Sequence, residues 1–203
     1  MDTGYLGVQY TYEERNDADA DDQGETTVDF FNTERLCIAS LRGVMANRFL
    51  DLMRLTKESQ ISAPDYNCVG AVHFLTGASP HPQDAECLSM PGTKAEDVSK
   101  DMHKTTLPLI FQIDGKALEG VPSGKGNKWT EGLLHTGFCI AELGDDDFVV
   151  LDKDGGHPLR LTSWKDVYRK YFPGTSKRFA TGVRIAEVKI NNCVALRAPC
   201  EVT

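Results

Sequence analysis

Three side chains have the types and order that a thiol-based acyl-transfer reaction needs: Cys68, His135 and Asp152. A nucleophilic cysteine requires a stabilised thiolate, a base within hydrogen-bond reach and a group that orients the base. Cys68 stands at the head of Asn67-Cys68-Val69-Gly70-Ala71-Val72-His73-Phe74-Leu75-Thr76-Gly77, an apolar, small-residue run that reads as a buried helix starting near Asn67 and closed at Gly77. At a helix N-terminus the unpaired amides and the dipole favour a thiolate, and the same amides can serve the oxyanion of an acyl intermediate. His135 opens the stretch His135-Thr136-Gly137-Phe138-Cys139-Ile140-Ala141, where Gly137 leaves space beside the imidazole. A second strand after Gly144-Asp145-Asp146 brings Asp152 alongside, where a carboxylate can fix the tautomer. Asp154 has the same side-chain parity and is the rival for that place.

The remaining candidates carry less. A lone cysteine is more often core than catalytic, and a lone histidine at a strand start more often structural; the pairing and order of Cys68 and His135 lift both. His73 lies five residues after Cys68, roughly 140° around the same helix, which turns it away from the thiol. His81 and His103 fall in a loop region, and His157, after the hairpin, is the alternative base. Tyr66 and Asn67 flank the nucleophile and are candidates for substrate contact, although packing suits Tyr66 as well. Trp129 lies in the glycine-rich stretch 120–132 ahead of His135 and is the candidate substrate-binding aromatic. That stretch lacks the spacing of a nucleotide-binding motif and reads as a loop over the cleft.

Around these residues the chain is organised as follows. Residues 13–27 are acidic and nearly free of large apolar groups, a composition expected of a flexible segment, so residues 1–29 are set apart from a single domain over 30–203. Leu36, Ile38, Leu41, Val44, Met45, Phe49, Leu52, Met53 and Leu55 recur with helical spacing, predicting one long helix over 33–55 capped by Asn32 or Thr33. Pro64 makes 61–66 a loop. Residues 78–105 read as a loop with a short helix over 95–102. Strands are expected at 107–113, 133–143, 148–151, 179–188 and 194–198, and a capped helix at 162–172, stopped by Pro173-Gly174. Helices first and an antiparallel sheet afterwards predict an α+β fold.

YNCVGAVHFLTG followed by HTGFCIAELGDDDFVVLDKDG resembles the papain-like peptidases, most closely the NlpC-type cell-wall peptidases and their amidase relatives. The resemblance spans roughly residues 60–157. It implies a papain-like arrangement of N-terminal helices on a C-terminal antiparallel sheet, with Cys68 as nucleophile, His135 as base and Asp152 as third polar residue. The activity implied is hydrolysis of a peptide or isopeptide amide through a thioester, with bacterial cell-wall peptide as substrate and no cofactor. Papain-like acyltransferases and protein deamidases share the same thioester, and a non-catalytic binding module could share the fold.

Composition sets the remaining bounds. Of 30 acids and 22 bases, nine acids and one base, Arg15, lie in residues 1–29, leaving 21 of each in the rest. Without a basic surplus to displace counterions, nucleic acid is not an expected partner. No apolar run approaches a membrane span, and the first residues lack the basic and apolar regions of a secretory signal. The expectation is therefore a protein made in the cytoplasm, with specialised export left open and any protein inhibitor or partner unspecified. Six cysteines without a CxxC pair suggest neither a disulfide scaffold nor zinc; Cys193 and Cys200 are the one close pair that could bridge.

Overall fold

The computed structural model describes residues 10–17, 24–83, 93–94, 107–114, 133–144, 147–171 and 183–187. Among the described residues, two antiparallel sheets and three α-helices make a mixed α/β architecture. The first sheet has the order β1-β2-β3, with β1 at Thr11–Asp17, β2 at Glu25–Phe31 and β3 at Cys37–Arg42. The second is six-stranded in the order β4-β9-β5-β6-β7-β8, comprising β4 (Thr93–Lys94), β5 (Leu109–Asp114), β6 (Leu133–Gly144), β7 (Asp147–Asp152), β8 (Arg160–Ser163) and β9 (Val183–Glu187). Helices α1 (Gly43–Lys57) and α2 (Cys68–Leu75) follow the first sheet directly, and α3 (Trp164–Tyr171) follows β8.

The start of the chain departs from the sequence expectation. Residues expected to lack structure form most of β1 and the beginning of β2, and the boundary expected at residue 29 falls inside β2. Composition misleads here because β1 is an edge strand: its residues from Thr11 to Asn16 are exposed, and it is held by backbone pairing to β2 rather than by burial. Tyr12 nevertheless sets its ring edge-on to Phe49 at 5.1 Å, and Arg15 approaches Asp29 at 3.8 Å.

The single helix expected over 33–55 is a turn, a strand and a shorter helix. Asn32 does accept backbone N–H bonds, from Glu34 at 3.0 Å and Leu36 at 2.9 Å, but these close the β2–β3 turn rather than cap a helix. In β3 the side chains alternate, with Ala39 and Leu41 buried and Ser40 and Arg42 directed outward. Gly43, at φ +55°, then turns the chain abruptly into α1, which buries Met45, Ala46, Phe49 and Leu52. The apolar set at 36, 38 and 41 does not alternate with the period of a strand, and the pairing of β3 with β2 overrides it, burying Ala39 and Leu41 and leaving Leu36 exposed. Helices α1 and α2 do precede the large antiparallel sheet and share an apolar cluster with it, but a three-stranded sheet that was not expected comes before them.

The later elements fall close to expectation. β5, β6 and β7 coincide with the predicted strands to within two residues, β9 lies inside the expected 179–188, and α3 begins two residues late because Arg160–Ser163 pairs with β7. The expected short helix at 95–102 and the strand at 194–198 lie outside the described residues.

One apolar cluster joins the two sheets. Val28 and Phe30 of β2, Phe49 of α1, Phe74 of α2, and Phe138 and Leu151 of the large sheet belong to it. A second cluster, with Phe111, Phe148, Trp164 and Tyr168, fills the space between the large sheet and α3. The large sheet is thus covered on both faces, which is why β7 reads as the near-continuous apolar run Phe148-Val149-Val150-Leu151. No helix of the described residues is long and apolar enough to cross a membrane.

Candidate active site

Cys68 is the first residue of α2, and the local sequence holds it there. Ser62 and Asp65 form a reciprocal cap around the single 3-10 turn Ala63–Asp65, in which Asp65 accepts from the Ser62 amide and hydroxyl, both at 2.6 Å. Asn67 is the N-cap of α2: its side-chain oxygen accepts from the Gly70 amide at 2.9 Å, and its carbonyl from the Ala71 amide at 3.0 Å. The cap takes up the Gly70 and Ala71 amides, and the Cys68 and Val69 amides precede them at the positive end of the helix. Gly70 has no alternative, since a Cβ there would stand 2.1 Å from the Pro82 carbonyl oxygen. The Cys68 thiol is half-buried and free.

His135 reaches this helix end from β6. Its side chain is 2 % exposed and hydrogen-bonds Cys68. The Nε2 atom lies 2.5 Å from Asp152 Oδ1. The ring is stacked on Tyr171 of α3, with centroids 5.2 Å apart and planes at 17°, and Phe111 of β5 lies on it at 5.7 Å.

The strand register explains which carboxylate serves. Asp152 pairs with Gly137 across β6 and β7, so its side chain reaches His135 on the diagonal, two residues along the neighbouring strand. Gly137 supplies the room: a Cβ there would stand 2.9 Å from both the Leu151 carbonyl and the Phe111 ring. Asp154 has the right parity, but the ladder ends at Asp152, and a turn closed by the His157 amide on the Asp154 carbonyl carries it away. Its carboxylate meets Lys170 of α3 instead, with Arg160 at 3.5 Å.

Asp152 is 1 % exposed and both of its oxygens are engaged. Oδ1 faces His135, while Oδ2 accepts from Arg160 Nε at 3.2 Å and Nη2 at 3.0 Å. Arg160 stands directly opposite Asp152 in the β7–β8 register. A buried carboxylate held by a guanidinium fork is a fixed negative charge, and it acts on the imidazole. Burial alone works against the imidazolium, but the Asp152 hydrogen bond, the Cys68 hydrogen bond and the charges of both push the His135 pKa up to about 9. Burial likewise opposes the charge of Asp154, and the Lys170 bond and charge, followed by His135 and Arg160, outweigh it, so its carboxyl titrates below its ordinary value.

Tyr66 and Asn67 take structural places. Tyr66 is buried in the main cluster, with burial as the largest cause pushing its hydroxyl up to about 12 against the Leu159 backbone bond. Trp129 and His103 lie outside the described residues, as does the Cys193–Cys200 pair. His157 is exposed on the turn after β7, His81 is half-buried in the loop after α2, and His73 is buried within α2. The sequence reading did not single out Arg160, Lys153, Phe111 or Tyr171. Arg160 alone had a legible signal, because a base eight residues after Asp152, across Gly155-Gly156, sits at hairpin distance.

The arrangement can pass the thiol proton to a buried imidazole and hold the resulting imidazolium against a fixed carboxylate, with two helix-end amides beside the sulfur. Compared with protein-family models, curated proteins and solved structures, the chain shows no match.

Proposed function

We propose that the chain is a cysteine hydrolase that cleaves a peptide or isopeptide amide bond through a thioester on Cys68. The observation that carries the reading is the continuous chain of contacts from the Cys68 thiol through His135 to Asp152, with the nitrogen facing the carboxylate fixed at 2.5 Å. His135 takes the thiol proton, and the thiolate attacks the carbonyl carbon while the developing oxyanion faces the Cys68 and Val69 amides. The imidazolium gives its proton to the departing amine, and the thioester remains. Water, deprotonated by the neutral imidazole, then adds to the thioester; the sulfur leaves and regains its proton, and the acid product departs. Asp152 holds the ring in the tautomer with the proton on Nε2 and supports its positive charge.

Bacterial cell-wall peptide is the substrate class proposed, resting on the likeness of residues 60–157 to NlpC-type peptidases. Incubation with purified cell-wall peptides and mass analysis of the products tests it: a mass gain of one water across a single amide is expected, with none from Cys68→Ala. The thiol chemistry is tested independently by iodoacetamide and site-resolved mass spectrometry. Labelling of Cys68 at pH 6 to 7 well ahead of the exposed Cys37 is expected, and equally slow labelling of both overturns the enzymatic reading.

A further inference from the structure

Lys153 follows Asp152 directly and is 1 % exposed, a degree of burial at which lysine is nearly always matched by an anion. Among the described residues, the Lys153 ammonium meets no carboxylate within ion-pair distance. The two acids nearby are already matched: Asp152 by Arg160 and His135, and Asp154 by Lys170 and Arg160. Lys153 instead donates to the Gly155 carbonyl and lies over the Tyr66 ring, 4.6 Å from its centroid. Both are neutral partners that favour an ammonium without neutralising it. Tyr66 is two residues before Cys68, so the excess cation is anchored to the turn that presents the sulfur.

We propose that Lys153 is a positioning residue whose buried ammonium holds the Cys68 turn and favours the thiolate, the sulfur supplying an anion that no carboxylate among the described residues supplies within ion-pair distance. The proposal rests on the hydrolase reading of Cys68 and His135. The proton balance is simple: Cys68 Sγ releases one proton to the His135 imidazole, and Lys153 keeps its own. The coupling has the expected sign: burial lowers the lysine's proton affinity, and among the charges opposing that loss Cys68 ranks first, ahead of Asp154 and Asp152.

The other groups facing the site come from each element around it. They are His135 on β6, Asp152 at the end of β7, Asp154 in the following turn, Arg160 on β8, Lys170 and Tyr171 on α3, and Tyr66 ahead of α2. On α1, Arg48 is committed to the Phe74 ring at 5.0 Å.

The test is the pH dependence of iodoacetamide labelling at Cys68 in the full chain, for wild type, Lys153→Met, Lys153→Gln and Lys153→Arg. In both neutral variants the acid limb is expected to move up by about one pH unit, which slows labelling at pH 6 about tenfold, whereas Lys153→Arg keeps the wild-type limb. A purely structural lysine would change the melting temperature and leave the limb in place, and that result overturns the proposal. Unfolding of both neutral variants while Lys153→Arg folds also overturns it, by marking the residue as structural. If wild-type Cys68 labels no faster than Cys37, the hydrolase reading itself fails, an outcome distinct from an unmoved limb in a reactive wild type.

Discussion

At the scale of single residues, the proposed chemistry turns on the His135 imidazole, held by Asp152 and influenced by Cys68. With its pKa pushed up to about 9, the His135 imidazolium is the favoured form through the neutral range, which is the state left once it has taken the thiol proton. A bell-shaped profile of kcat/KM against pH is expected, with the alkaline limb near pH 9, where the imidazolium loses the proton destined for the leaving amine. Asp152→Asn removes the charge that supports the imidazolium, so the alkaline limb should move to lower pH and kcat/KM should fall by about a hundredfold or more. The same shift has a sign for stability. A folded-state pKa above the ordinary 6.5 adds stability that is complete below pH 6.5 and lost as pH rises through about 9. Denaturant midpoints measured from pH 6 to 10 should therefore decline across that window in wild type and decline less in Asp152→Asn. Cys68, His135 and Asp152 were legible from residue type, order and strand parity. The choice between Asp152 and Asp154 was not, because both share a parity and only the end of the β6–β7 ladder separates them.

At the scale of elements, α2 is a small helix that two residues keep in place. Asn67→Ala removes the cap on the Gly70 amide and should cost about 1 kcal/mol, with Asn67→Asp retaining most of the stability, as thermal melts would show. Gly70→Ala drives a methyl group into the Pro82 carbonyl, where backbone must give, and a loss of about 2 kcal/mol or more is expected together with slower labelling of Cys68. The two substitutions differ in kind: the first weakens the helix end, and the second displaces the segment packed against it. The apolar run 67–77 made α2 legible, bounded as it is by a capping residue and by Gly77 at φ +76°. The segment 33–55 was misread for a physical reason. Its apolar spacing suits a helix throughout, whereas Gly43 at positive φ and the Asn32 turn divide it into β3 and α1. Pairing partners 6 to 15 residues away outweighed local period.

At the scale of the whole molecule, one apolar cluster runs from the three-stranded sheet through α1 and α2 to the strands that carry His135 and Asp152. Phe49, fully buried and edge-on to both Phe30 and Tyr12, ties the first sheet to it. Phe49→Ala should cost about 3 to 5 kcal/mol in urea unfolding, and the transition should remain single because the cluster is continuous. The pH profile of Cys68 labelling in the folded fraction should stay in place, since the ring contacts of Phe49 are to Phe30 and Tyr12 of the first sheet. By itself, the sequence marked out local features: Cys68, His135 and Asp152 as candidates by type and order, the start of α2, and the course of β5, β6, β7 and β9. These follow from side-chain chemistry and short-range periodicity. Only the tertiary structure decided that the acidic start of the chain becomes an edge strand, that Arg160 closes over Asp152, and that Lys153 is left as a buried cation beside the Cys68 turn. Those outcomes depend on register, diagonal reach and the matching of buried charges, which are properties of chains brought together and have no signature in any single stretch.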